Sequence, residues 1–481
     1  MSTVSEQTQN GHMSTSHAAH PDRLLPADPA TRDIARRLLT YVEDLPIISP
    51  HGHLEASMFV KDEPFADPTT LLISPDHYLT RVLHSAGVDL ADLRVGGTEG
   101  KTPREAWRIF ASNWDLYTGT ATGYWVEQEF EHVFGINPDR LSAENADDIY
   151  DELSEILARP DFRPRALAEQ FNLEILATTD DPLDDLADHK ALAQDPTFSP
   201  RVLPTFRPDA YTKMYNPGWA EKTTRLIDVA GDGKAGWEGY LQAMRNRRQY
   251  FIDHGATSAD HGTHDTDTTP LSHEDAQRIL DKGLAGTATL AEMRAFEANT
   301  TYRFAEMCQD DGLVMTLHPG VYRNHSASAQ KKFGNDIGAD IPFQLEYTRG
   351  LRPLLSDFGE NKDFHFVMFT IDETVFSREV APLAGYYPAA YVGAPWWFID
   401  EIDAMNRFRS LTTGTTGFSR YSGFIDDTRA YCSIPARHNT SRRVEANYLA
   451  RLVAEHRISE TRASEIIVDL IDASPRRVFK L

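Results

Sequence analysis

An α/β fold, a (β/α)8 TIM barrel with a small inserted helical subdomain, is predicted by three observations. Short apolar runs rich in β-branched residues recur along the chain, helical patterns separate them, and eight such runs can be counted. A chain of 481 residues has the length for this core and an appendage, because single cores stop growing at roughly 250–300 residues.

Residues 1–30 are polar and hold no apolar stretch that could serve as a signal-peptide core, so they are expected to form a disordered tail and to leave 31–481 for the barrel. Strands are predicted at 46–49 (PIIS), 174–178 (EILAT), 201–205 (RVLPT) and 256–258 (ATS). Four more follow at 313–317 (LVMTL), 365–370 (HFVMFT), 390–393 (AYVG) and 422–425 (SGFI). More than a hundred residues separate the first two runs, and AWRIFASNWDLYTGTATGYWVEQEFEHVF and ADDIYDELSEILARPDF within them have helical apolar spacing. A helical insertion is therefore expected at about 58–168. The stretch 259–272, ADHGTHDTDTTPLS, has the composition of an exposed loop.

The charge narrows the partners. Against 48 Lys and Arg stand 72 Asp and Glu, a net charge of −24 that repels nucleic-acid phosphates and anionic membranes. An anionic substrate would therefore need arginines gathered locally. The two cysteines, Cys308 and Cys432, make neither a CxxC motif nor a disulfide framework, and no run approaches the roughly 18 apolar residues of a membrane span. A cytoplasmic protein is expected.

Two short motifs carry chemistry. His51 and His53 follow PIIS as SPHGHLE, and on an extended chain residues i and i+2 point to one side, so both imidazoles can reach one metal ion. Just beyond the last predicted strand, GFIDDTRAY sets Asp427 and Arg429 two apart, bringing a carboxylate and a guanidinium to the same mouth. A surface Asp–Arg pair would have the same spelling and little energetic weight.

Together, HxH after the first strand and Asp after the eighth resemble the metal framework of the amidohydrolase superfamily. Within it the chain resembles the uronate isomerase (glucuronate isomerase) family. Matching segments run in order: PHGHL at 50–54, DHYLTRVLHSAGV at 76–88, TTDDPLDDL at 178–186, VLPTFRPD at 202–209 and ADHG at 259–262. MTLHPGVYRN at 315–324, WWFIDEIDAM at 396–405 and DDTRAYCSIPARHNTSRR at 426–443 complete the series. The resemblance implies His51, His53 and Asp427 as ligands of one divalent ion, zinc with manganese or iron as alternatives. It implies His77, Tyr78, Asp427 and Arg429 as the reacting centre, and Arg207, His318 and Trp396 as substrate contacts. His261 lies in a matched segment and is expected to be ordered although its surroundings read as loop.

The last segment departs from the family. DDTRAY and IPARHNTSRR stand for a TDSRSF and a YPRHEYFRR-like run, keeping Asp427, Arg429, Arg437, His438, Arg442 and Arg443 but not the aromatics.

The activity implied is aldose–ketose isomerisation of a small-molecule hexuronate by a homo-oligomer. Asp427, or a group it activates, takes the C2 proton, while Arg429 and Tyr78 stabilise charge on the C1 and C2 oxygens. Two alternatives use the same site: a metal-dependent hydrolase, which needs a fuller ligand set, and a silent sugar-acid-binding protein, which would bind without turnover.

Overall fold

The strands form where β-branched residues can be buried on both faces, as parallel sheets require. The computed structural model describes residues 16–97 and 100–481. Its strands are β1 (Ile47–Ser49), β2 (Leu173–Ala177), β3 (Arg201–Leu203), β4 (Ser258–His261), β5 (Val314–Leu317), β6 (Val321–Tyr322), β7 (Ile341–Pro342), β8 (Phe366–Met368) and β9 (Ala390–Val392). β1-β2-β3 and β4-β5-β8-β9 are two parallel sheets, and β6 and β7 make a separate antiparallel pair that has no counterpart among the predicted strands.

A single parallel bridge, Phe206 with Ala259, links the sheets. Seven runs thus follow one another in chain order with helices between them, the α/β alternation that the sequence predicts. The eighth run departs. Tyr421 makes one parallel bridge with Val392, and 422–425 form no ladder. Gly423 has φ +85°, which breaks the extended backbone, and a Cβ there would come within 2.7 Å of the Pro475 ring. A closed eight-stranded ladder is not formed among the described residues. The two ends meet instead through the His53 N–H, which donates to the Thr428 carbonyl at 3.1 Å.

β4 begins at Ser258 and runs through Asp260 and His261, beyond the predicted 256–258. Polar residues extend a buried strand here because each finds a partner: Thr316 Oγ1 donates to Asp260 at 2.7 Å and His261 Nδ1 lies 3.0 Å from the Thr316 carbonyl. The loop after it is also less exposed than its composition implies, since Thr266 and Thr268 are buried and bond the carbonyls of Glu346 and Gly350.

Between β1 and β2 the described elements are all helical, from Ala56 to Gln170. With Ile47 of β1, Leu173 and Leu176 of β2 and Val202 of β3 they bury one cluster around Phe59, Leu83, Trp107, Phe130 and Leu153, distinct from the larger cluster around β4, β5, β8 and β9. The helix His77–Ser85 joins them: Leu79 and Leu83 sit in the first cluster while Tyr78 packs against the second.

Of the expected tail, residues 1–15 lie outside the described residues, and 16–30 are packed rather than loose. Ser16 is buried, Arg23 pairs with Glu127, and Arg443 Nη1 donates to the carbonyls of Pro21 and Arg23 at 2.8 Å each. Side chain to backbone bonds hold this polar segment, which apolar patterning does not reveal. Among the described residues no helix is long and apolar enough to cross a membrane.

Candidate active site

Residues just past the C-terminal ends of the strands converge. His51 and His53 follow β1, Arg207 follows the Phe206 bridge, His318 follows β5, and Asp427 and Arg429 follow the Tyr421 bridge. With His77, Tyr78 and Trp396 they line one pocket of about 590 Å³ including its mouth, so all nine residues singled out from the sequence share a site.

At its floor His51 Nε2 and His53 Nε2 approach the same oxygen, Asp427 Oδ1, at 3.1 and 3.0 Å. The indole N–H of Trp396 donates to Asp427 Oδ2. Asp427 holds φ +44°, a left-handed conformation that costs a residue with a Cβ of order 1–3 kcal/mol and is typical of functional sites. Burial opposes its charge, but the adjoining His51 and His53 outweigh it and hold the carboxyl well below the usual range.

The donor set fits a cation. Thr179 Oγ1 can donate to the Gly52 carbonyl at 3.4 Å and lies 2.9 Å from His53 Nδ1, an arrangement that puts the His53 proton on Nδ1 and turns the Nε2 lone pair toward Asp427. A lone pair facing a carboxylate oxygen is repulsive unless a positive ion lies between them. Asp427 Oδ1 is also buried with no hydrogen bond of good geometry, as an absent ion would leave it. His51, His53 and Asp427 form one cluster able to hold a metal ion, and His51, Asp260 and His318 form another.

Asp260 was not singled out from the sequence. It is fully buried; His318 Nδ1 lies 2.6 Å from its Oδ1, and Arg207 Nη1 3.2 Å from its Oδ2. Against burial, His318 and Arg207 keep it ionised, well below the ordinary carboxylate range. One carboxylate therefore sets the placement of two expected substrate contacts. In the ADHG segment it is Asp260, not His261, that faces the site: His261 packs on Phe304 and bonds the Thr316 carbonyl. Alternation along a strand puts the two on opposite sides, so the phase of β4 was the missing signal.

On the facing wall the His77 ring stacks on Tyr78 and meets Trp397 edge-on, both at 5.3 Å. Burial and the neighbouring Arg429 push the His77 imidazole down to about 3, so it is neutral. Tyr78 donates its hydroxyl to Asp400 Oδ2 at 2.9 Å. Arg429 donates to Asp336 Oδ2 at 2.5 Å, and Arg323 lies 3.6 Å from the other Asp336 oxygen. The two arginines overcome burial and hold Asp336 at about 2. Asp336 comes from the short irregular loop between the helix Ala327–Phe333 and β7, which no sequence pattern marks.

Comparison with known proteins points the same way. A family model described as glucuronate isomerase matches residues 29–479. The uronate isomerase of Corynebacterium glutamicum is 87% identical over 369 residues, 76% of this chain and 70% of that protein. That of Xanthomonas campestris pv. campestris is 47% identical over 473 residues, covering 98% and 100%. The crystal structure of glucuronate isomerase from Caulobacter crescentus is similar with a TM-score of 0.93 at 45% identity, over 96% of either chain. Because the matched stretch contains every strand and all nine residues that meet in the pocket, this chain belongs to the glucuronate isomerase family.

Proposed function

We propose that this enzyme, a uronate isomerase by its family, interconverts D-glucuronate with D-fructuronate and D-galacturonate with D-tagaturonate by moving a proton between C2 and C1. The observation that carries the chemistry is the gathering of four arginines, Arg207, Arg323, Arg429 and Arg437, around an ionised Asp427 in a chain of net charge −24. Each is held by a carboxylate partner, so what they offer an anionic sugar acid is a set of positioned guanidinium N–H donors rather than excess positive charge. In this reading Arg207 grips the distal carboxylate through its planar fork, with His318 and Trp396 beside it. Asp427 or a group it activates takes the C2 proton, Arg429 faces the oxygens where enediolate charge develops, and His77 and Tyr78 orient them.

His51, His53 and Asp427 would hold one divalent ion, zinc by its preference for imidazole and carboxylate, with manganese or iron served by the same donors. When bound, the ion supplies a template and positive charge for substrate oxygens. The strand succession is read as the wall of a (β/α)8 barrel and the helical segment 58–168 as an insertion shaping its mouth. A cytoplasmic homo-oligomer is the assembly proposed. The hydrolase reading is weakened because Arg429 stands beside Asp427, and a guanidinium there suits an anionic intermediate better than a metal-bound hydroxide.

Incubation with D-glucuronate under NMR tests the assignment: ketose signals should grow, and failure to convert any hexuronate would overturn it. Arg207→Lys should lower kcat/KM for uronates by roughly tenfold or more, since an ammonium replaces a two-pronged contact with a point charge and one charge-assisted hydrogen bond contributes about 1.5–3 kcal/mol. Steady-state kinetics unchanged from wild type would reduce Arg207 to a partner of Asp260.

A further inference from the structure

Behind Tyr78 lies a buried group that the mechanism above does not use. Tyr78 donates to Asp400 Oδ2, and Arg437 Nη1 donates to the same oxygen at 3.3 Å. The Arg437 guanidinium lies 3.8 Å from the Trp125 ring centre and 4.9 Å from that of Tyr78. Asp400 is 8% and Arg437 2% exposed, so bulk water does not compete for these bonds.

A phenol has one proton, and an ionised carboxylate can only accept. While Asp400 is ionised, the Tyr78 proton is committed to it, and Tyr78 offers the pocket lone pairs alone. A protonated Asp400 can instead donate to the phenol oxygen and release its O–H toward the pocket. We propose that Asp400 is a positioning residue acting through Tyr78: ionised, it makes Tyr78 an acceptor for the proton of a substrate hydroxyl, and protonated, it turns Tyr78 into a donor that can meet that hydroxyl only at its oxygen and leaves its proton without this acceptor. The proposal rests on the isomerase reading for the identity of the hydroxyl, the one on C2 whose oxygen becomes the ketose carbonyl.

The groups facing Asp400 are Tyr78 from the helix His77–Ser85, Arg437 from the helix Ile434–Ala454 and Asp427 from the loop after Tyr421. Burial lifts the Asp400 carboxyl to about 6, with Arg437 and Tyr78 opposing and Asp427 adding to the lift. Burial and Asp400 push Tyr78 well above the ordinary phenol range, so it keeps its proton in mildly acid and neutral solution. Asp76, also raised by burial, faces Arg437.

The test follows Tyr78 directly. In protein labelled with 13C at the tyrosine Cζ, the Tyr78 resonance is identified by its loss in Tyr78→Phe. Its shift should titrate with a midpoint near 6 in the wild type and not in Asp400→Asn, which leaves Asp76 in place. No titration in the wild type, or the same titration in Asp400→Asn, overturns the proposal. No substrate is present, so the outcome is independent of the isomerase assignment. In turnover of D-glucuronate, wild-type kcat/KM should fall about tenfold per pH unit below that midpoint, and the acid limb should be absent from Asp400→Asn. Bound metal is measured at each pH to separate ion loss from this effect. A limb that persists in Asp400→Asn overturns the link to catalysis, and a purely structural role would lower activity evenly at every pH.

Discussion

Asp427→Asn should lower turnover of D-glucuronate by roughly 10²–10⁴, the usual cost of removing a positioned acid–base group. The substitution preserves shape and can still present an oxygen to the Trp396 indole or toward His51 and His53, the contacts that define the wild-type position. What it removes is basicity. The carboxylate is kept ionised by its two histidines although it is buried, so in the wild type it is free to take the proton as the proposed mechanism requires. Deuterium exchange at C2, or incorporation into the ketose, separates this role from binding. The wild type should exchange and the variant should not, with the fold checked by circular dichroism. Exchange of undiminished rate in the variant would remove Asp427 from the proton transfer.

The paired substitution His51→Ala and His53→Ala should strip the protein of its metal while leaving it folded. Loss of a residue that merely orients a metal ligand typically weakens affinity about 10–100-fold, and removal of two ligands should exceed that. Both rings lie past the end of β1, where Asp427 Oδ1 between them lacks a well-made hydrogen bond, so their main partners are polar and local rather than the apolar clusters beneath. Elemental analysis after dialysis measures the ion and the circular dichroism melt measures the fold. Full metal occupancy in the double variant would exclude this pair as ligands.

Much of this could be read from spelling because it rests on short-range geometry. Runs such as LVMTL and HFVMFT mark strands because β-branched and aromatic residues suit a surface buried on both faces, and HGH and DTR reach one mouth because each follows a strand or a strand bridge, although Asp427 at φ +44° is not in the extended conformation that side-chain alternation assumes. Where a three-dimensional partner rescues a local rule, the spelling misleads. Asp260 and His261 continue a strand that their polarity alone would end, because Thr316 and His318 satisfy them. SGFI reads as a strand, but Gly423 turns it against Pro475. Asp336 and Asp400 come from irregular connections, and their relation to Arg429 and Tyr78 exists only in the folded chain. His77 and Tyr78 were found through family resemblance, since by periodicity alone they are the first turn of an ordinary amphipathic helix.

The helix His77–Ser85 spans two separately packed apolar clusters, with Leu79 and Leu83 in one and Tyr78 against the other. A ligand held between Tyr78 on that helix and Arg207 beyond β3 would couple the two clusters, because either one opening would discard the bound state. Such coupling follows ligand concentration rather than sequence: at about a hundredfold excess over Kd it adds ~2.7 kcal/mol to native stability. Substrate supply would then govern how long the molecule resists local opening and the proteases that exploit it.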